Sequence, residues 1–204
     1  LGFTDFNTGG KRASELPATV RIGRPGATVA QDLEPEYVAI SADSKTAFIT
    51  LQENNAVAEV DLATGKINKF VALGFKDYGS KYKIAASDRY AGTSSTAYGN
   101  PTASASLKNY KNLYGVYLPD GIASYTVNGK TYFLTANEGD DRGDFLTGAS
   151  ADTARFKDIL ANLDATAFPA DVVAAIKSDQ ELGRLTLLTK HAGGNYGDTD
   201  GDGD

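Results

Sequence analysis

The stretch YVAISADSKTAFITLQENNAVAEVDL occupies residues 37–62 and contains three apolar runs separated by short polar turns. Runs of β-branched and aromatic residues between such turns are typical of strands. A further turn at 63–66 leads into a fourth apolar run at 67–73. Four antiparallel strands joined by tight turns form a meander of the size of one propeller blade.

A second copy of this pattern appears when the sequence is shifted by 85 positions. Residues 45–53 (KTAFITLQE) then align with 130–138 (KTYFLTANE), and 37–40 align with 122–125. We therefore predict a mainly β chain that forms the N-terminal portion of a β-propeller with antiparallel four-stranded blades. The blade-like units are about 36–73 and 118–146.

Two insertions interrupt the predicted blades. Residues 76–111 are rich in small polar residues and tyrosine and show no sustained period, which favours a long loop. Its tyrosines either stack on sugars or another protein, or fix the loop to the propeller.

A short helical insertion is predicted at about 151–178. Within it, apolar spacing predicts a helix over 151–163, and Pro169 suits the first turn of a second helix that ends at Lys177. The apolar residues whose spacing predicts the first of these helices are Phe156, Ile159, Leu160 and Leu163.

The composition excludes several classes of site. The 204 residues include no cysteine and a single histidine, His191, and the net charge is −6. Thiol chemistry, disulfides and zinc sites with sulfur ligands are excluded. The acidic balance argues against a nucleic-acid partner, and no apolar run is long enough for a membrane span. We predict no catalytic residue.

The clearest local motif is DTDGDGD at residues 198–204. Asp198, Asp200 and Asp202 match positions 1, 3 and 5 of a calcium-binding loop, Gly203 matches position 6, and Asp204 offers its carbonyl at position 7. We expect these four aspartates to bind calcium, which is the expected cofactor, and the alternative is a solvated acidic tail.

Two further groups of polar residues are candidates for metal or ligand binding. Glu34 and Glu36 lie at the entrance to the first blade, where they either face a ligand or only start the strand. The second group follows a predicted strand and either binds a cation or ligand, acts in acid–base catalysis, or forms a charged loop in which Arg142 pairs with a neighbouring carboxylate. This second group consists of Asn137, Glu138, Asp140, Asp141 and Asp144.

Several stretches in order along the chain resemble one protein family. They are 32–39 (DLEPEYVA), 50–56 (TLQENNA), 73–77 (LGFKD), 86–88 (ASD), 119–125 (PDGIASY), 135–140 (TANEGD) and 198–204. The chain resembles bacterial choice-of-anchor I proteins and is similar to mesenchyme-specific cell-surface glycoproteins associated with biomineral formation. The resemblance implies an exported, propeller-like protein that is tethered by a C-terminal anchor and continues into more blades.

The sequence and the resemblance together predict an exported cell-surface or matrix protein that binds calcium and has an adhesion, scaffolding or mineral-associated role. Expected partners are the remaining blades of a parent chain or neighbouring protein chains, with surface polysaccharide or mineral as further possibilities. One alternative is an extracellular metal-dependent phosphoesterase, since some relatives are fused to or labelled as phosphatases. Another is a structural subunit of a surface layer or filament.

Overall fold

A computed structural model describes residues 2–87, 106–191 and 194–195. The described chain is mainly β, with antiparallel sheets and few helices, as the sequence predicts. The strands are β1 (Pro35–Ile40), β2 (Thr46–Leu51), β3 (Ala56–Asp61), β4 (Lys66–Ala72), β5 (Lys76–Asp77), β6 (Tyr114–Gly115), β7 (Pro119–Val127), β8 (Lys130–Asn137), β9 (Thr153–Arg155), β10 (Thr186–Leu188), β11 (Lys190–His191) and β12 (Gly194–Asn195).

The helices are short. The α-helices are α1 (Val29–Asp32) and α2 (Ala170–Ile176), and the 3₁₀ helices are Thr4–Phe6, Ala13–Glu15, Gly148–Ser150, Phe156–Asp158 and Leu160–Asn162. The second predicted helix of the 151–178 insertion is confirmed, because α2 follows Pro169 and its C-terminal cap is Lys177.

Strands β1–β4 form the four-stranded antiparallel meander that the sequence predicts over 36–73. Ala47 pairs with Val60 and Leu51 pairs with Ala56, so these small and branched side chains share one face. This face is buried by the chain that precedes β1. The buried residues of this core are Phe6, Val20, Ile22, Leu33, Ala47, Leu51, Ala56, Ala58, Val60, Ile67 and Phe70.

The second copy of the repeat contributes the hairpin β7–β8. Asn128 and Gly129 both have positive φ, which gives the two-residue turn that matches the twist of paired strands. The 85-residue shift also relates the two hairpins in their pairing register. The pairs Val38–Ile49, Ala39–Phe48 and Ile40–Ala47 correspond to Ala123–Leu134, Ser124–Phe133 and Tyr125–Tyr132.

The chain divides into two compact units. The first contains Leu1–Phe75 and Val116–Ser150, and the second contains Lys76–Gly115 and Ala151–Asp204. In the second unit β5 pairs with β6, β9 with β10 and β11 with β12. Its core is formed by Tyr110, Phe156 and Leu182. Tyr110 of the predicted loop is therefore a core residue, whereas residues 88–105 of that loop lie outside the described chain.

The helix predicted over 151–163 is wrong. Thr153–Arg155 instead forms β9, which pairs with β10, and two 3₁₀ turns follow it. The amide of Phe156 continues this pairing and donates to the carbonyl of Leu185 at 3.0 Å. Phe156 is still buried, and Leu160 and Leu163 are partly buried against it, because 3₁₀ turns also place residues three apart on one side. Pairing with a distant strand thus replaces the local helical hydrogen bonds.

Candidate functional site

Four consecutive polar residues form the turn between β2 and β3. Gln52, Glu53, Asn54 and Asn55 are all buried, and none of them is more than 8% exposed. Burial of polar groups costs free energy unless hydrogen bonds replace those made to water. We call residues 52–55 the polar turn, and its side chains hold distant parts of the first unit together.

The side chain of Asn54 connects the polar turn to the chain before β1. Its Nδ2 donates to the carbonyl of Arg21 at 2.8 Å and to the carbonyl of Asp32 at 3.0 Å. Its Oδ1 accepts from the amide of Glu34 at 3.0 Å. One buried amide thereby fixes the position of the strand entrance at which Glu34 lies.

The side chain of Asn55 connects the polar turn to the start of β7. Its backbone has φ of 54°, in the left-handed region that asparagine tolerates better than most residues. Its Oδ1 accepts from the amides of Tyr117 and Leu118 at 2.9 and 3.3 Å, and its Nδ2 donates to the carbonyl of Gly74 at 2.8 Å. The two repeat copies are therefore joined through the polar turn.

A buried ion pair between Asp32 and Arg142 lies beside the polar turn. Their side chains are 0% and 1% exposed, and Arg142 Nη1 donates to Asp32 Oδ1 at 3.1 Å. Arg142 Nη2 donates to the carbonyl of Asp32 at 3.1 Å, and its Nε lies 3.1 Å from Glu34 Oε1. The Asp32 carboxylate also accepts from the amides of Gly23 and Arg24, each at 2.8 Å. Good hydrogen-bonding geometry of this kind offsets the desolvation of buried charge.

Glu53 is a second buried carboxylate, and its environment differs from that of Asp32. Its Oε2 is buried and has no hydrogen-bond partner among the residues that the structure describes. Burial raises the pKa of Glu53, and the charges of Glu34 and Glu36 raise it further, whereas a hydrogen bond to its own backbone amide and the charge of Arg142 lower it. We call Glu34, Glu36 and Glu53, with the Asp32–Arg142 pair, the carboxylate cluster.

A family model for the choice-of-anchor I domain matches residues 1–201. The match covers nearly the whole chain, including the strand entrance, the polar turn and Arg142. The chain belongs to the choice-of-anchor I domain family. The searches of curated proteins and of solved structures found no match.

Membership of the choice-of-anchor I family indicates a surface-anchored or exported protein of bacterial type. None of the helices within the described residues is both long enough and apolar enough to cross a membrane. The finer similarity to mesenchyme-specific glycoproteins stays a prediction.

In this choice-of-anchor I chain, the acidic residues at 137–144 and Arg142, which lies among them in the sequence, have different environments. The side chains of the five predicted candidates, Asn137, Glu138, Asp140, Asp141 and Asp144, are exposed. Arg142 is buried and pairs with Asp32 and Glu34, which precede it by more than 100 residues, whereas the alternative from the sequence was a neighbouring carboxylate of its own loop. Glu138 approaches the polar turn through its carbonyl, 3.5 Å from Gln52 Nε2.

Turn geometry accounts for two of these exposed carboxylates. Asp140 Oδ1 accepts from the amide of Asp141, and Asp141 Oδ1 accepts from the amide of Gly143, each at 2.7 Å. In the described residues, no three Asp, Glu or His side chains lie close enough together to hold a metal ion. The predicted calcium ligands Asp198, Asp200, Asp202 and Asp204 lie outside the described residues.

Sequence reasoning selected Glu34 and Glu36 but missed Glu53, Asp32 and the role of Arg142. The available signal was the run QENN at 52–55, four polar residues between two apolar strands, which is longer than a two-residue hairpin turn requires. Nothing local indicates that Arg142 meets the strand entrance, because that contact forms only when the second repeat copy packs against the first.

Proposed function

We propose that this choice-of-anchor I chain is part of an exported cell-surface β-propeller protein that binds calcium and has an adhesion or scaffolding role. The observation that carries the proposal is an exposed apolar face on the β7–β8 hairpin. A surface that collects large apolar side chains is typical of a contact with further protein.

The two faces of the hairpin have different environments. On one face, the Phe133 ring lies 5.4 Å from the Phe48 ring of β2, and Ser124 Oγ donates to the carbonyl of Ile40 at 2.6 Å. The opposite face, which we call the apolar face, exposes four large side chains by 44–63%. These are Tyr125, Val127, Tyr132 and Leu134. Among the described residues β8 pairs with β7 alone, so its other edge also has backbone groups that can accept a further strand.

The first repeat copy supports a scaffolding role for this surface. There, β2 pairs with β1 at one edge and with β3 at the other, and the N-terminal segment packs on one face of the sheet. Further strands would pair with the other edge of β8 and pack on the apolar face. They would come either from additional blades or from a neighbouring chain. A propeller supplies such strands repeatedly, which is the basis for preferring it here.

Calcium binding is supported by the sequence at 198–204, where alternating aspartates and glycines suit one loop around a hard cation. The test is the melting temperature of the chain with calcium and with a chelator. We expect calcium to raise it, since a ligand that binds only the folded state stabilises that state. Replacement of Asp198, Asp200 and Asp202 by asparagine should abolish the shift.

Two other triple variants give the controls for this experiment. The first replaces Asp5, Asp158 and Asp171, which are exposed and belong to no candidate site, by asparagine. It changes the net charge by the same amount as the 198/200/202 variant and should leave the calcium-induced rise in melting temperature intact. Asparagine at Asp140, Asp141 and Asp144 tests the second acidic loop. Absence of any calcium shift in the parent chain would contradict the proposed calcium binding. The phosphoesterase and surface-layer alternatives stay predictions.

A further inference from the structure

We propose that Glu53, with Glu34 and Glu36, forms a binding site for a primary ammonium group, such as the end of a lysine side chain. None of its residues belongs to the proposed calcium loop at 198–204, and the site does not require calcium. The proposal rests on a buried carboxylate oxygen without a partner, set among carboxylates whose cations are already engaged.

The cations beside the site are engaged by other groups. Arg142 directs its Nη1 and Nη2 to Asp32 and its Nε to Glu34. Arg21 approaches Glu53 through its Nη1, which donates to the carbonyl oxygen of Glu53 at 3.1 Å. The four carboxylates of Asp32, Glu34, Glu36 and Glu53 thus outnumber the two guanidinium groups of Arg21 and Arg142.

Asp32 is a buried carboxylate in the same unit for which hydrogen-bond donors are present at both oxygens. Both of its oxygens accept hydrogen bonds, from Gly23 and Asn54 at Oδ2 and from Arg24 and Arg142 at Oδ1. Glu53 lies in the neighbouring turn and is also buried, yet its Oε2 lacks a hydrogen bond among the described residues. Such a group costs free energy in the free protein and gains most from a ligand that donates to it.

The geometry favours an ammonium group over a metal ion. Calcium requires six to eight oxygen ligands, and within the described chain no three acidic side chains are placed to hold a metal ion. An ammonium group has three N–H donors, and each needs only one acceptor at hydrogen-bond distance. A hydrogen bond to Glu53, with the negative charges of Glu34 and Glu36 nearby, is sufficient to attract it.

Access to the site also favours an ammonium group over a guanidinium group. Glu53 is only 8% exposed and its Oε2 is buried, so there is no room beside it for a wide head group. A lysine side chain carries a compact charge on a thin, flexible stem, whereas arginine carries a wide planar fork. Glu34 is partly exposed and Glu36 is exposed, so their carboxylates reach solvent.

The test is calorimetric titration of the 204-residue chain with Nα-acetyl-lysine amide. The matched probe is the same compound acetylated on Nε, which has no charge and should not bind. Glu53→Gln should weaken binding about tenfold, the loss expected for one charge-assisted hydrogen bond. Glu36→Gln, at an exposed position, should weaken it about threefold. Asp158→Asn, an exposed change in the second unit, should have no effect.

The outcomes separate the possible ligands. Failure of the lysine probe to bind, equal binding of the Nε-acetylated probe, or equal affinity of the parent and Glu53→Gln would overturn the proposal. Calcium binding that is lost in Glu53→Gln, without lysine binding, would also overturn it in favour of a metal site. A lysine-containing peptide that binds more tightly than the single residue indicates a protein ligand, and equal affinity indicates a small amine. Both of these results support the ammonium site.

Discussion

The guanidinium of Arg142 has its carboxylate partners in a distant part of the sequence. Asp32 and Glu34 lie at the entrance to β1, and Arg142 follows β8 in the second repeat copy. Because Arg142 and Asp32 are both buried, removal of one charge leaves the other without compensation. Such a change costs much more than loss of an exposed pair.

We expect Arg142→Met to lower the free energy of unfolding by about 3 kcal/mol, since it leaves the Asp32 carboxylate buried without its cation. Urea unfolding measures the loss. Lys69→Met is the matched control, because Lys69 is mostly exposed and pairs with Glu59 at 3.1 Å across two strands. Its expected cost is below about 1 kcal/mol. Equal losses in the two variants would contradict the structural role assigned to Arg142.

Whereas the Asp32–Arg142 pair stabilises the fold, the buried carboxylate of Glu53 destabilises it when it is charged. Burial raises its pKa in the folded chain, so the folded state retains a proton that the unfolded chain has already released at the same pH. Stability is therefore reduced as pH rises through the raised pKa, and this loss disappears below the ordinary glutamate pKa.

We expect Glu53→Gln to melt about 2–4 °C above the parent near neutral pH, the shift that about 1 kcal/mol gives in a chain of this size. The difference should shrink as the pH is lowered, because the parent carboxyl then becomes neutral too. Melting curves across the acidic range measure it, with Asp158→Asn as the control for charge. A Glu53→Gln variant that is less stable at neutral pH would be evidence that Glu53 has a partner in the folded chain.

At the scale of elements, the β7–β8 hairpin repeats the register of β1–β2 but differs in what covers it. The first hairpin continues into β3 and β4, whereas β8 pairs only with β7 among the described residues. An uncovered apolar face beside an unpaired edge favours association between chains.

We expect the chain to self-associate through the apolar face, and the double variant Tyr132→Lys with Leu134→Lys to weaken this association about tenfold or more. Both side chains are exposed, so the variant should fold normally. Sedimentation velocity at several concentrations gives the measurement. Val172→Lys, at an exposed position of α2, provides the control. A parent chain that stays monomeric throughout would contradict the prediction.

At the scale of the whole molecule, the two compact units have separate cores and their own polar contacts. The first unit contains the carboxylate cluster. In the second, the Tyr110 hydroxyl donates to Glu181 at 2.7 Å, and Lys108 pairs with the same carboxylate. Burial and the bond to Glu181 raise the pKa of Tyr110, so its hydroxyl stays protonated.

Two units with their own cores should unfold in two calorimetric transitions. Arg142→Met should lower the transition of the first unit and leave the second in place. Tyr110→Phe should lower only the second, since it removes the donor to Glu181. If both variants shift one common transition, the units unfold as a single cooperative body.

The sequence by itself determined the four-strand meander, the second copy of the repeat and the short helix α2. These depend on local signals: alternating apolar residues, turn residues such as Asn128 and Gly129, and Pro169 at a helix start. Local signals also located Glu34 and Glu36 at the strand entrance. Tertiary structure decided the rest, because the competing interactions come from distant residues. Pairing of β9 with β10 replaced a helix that the spacing predicted, and packing of the second repeat copy brought Arg142 to Asp32. The burial of Glu53 is also tertiary, since a carboxylate in a turn is buried only when another part of the chain covers it.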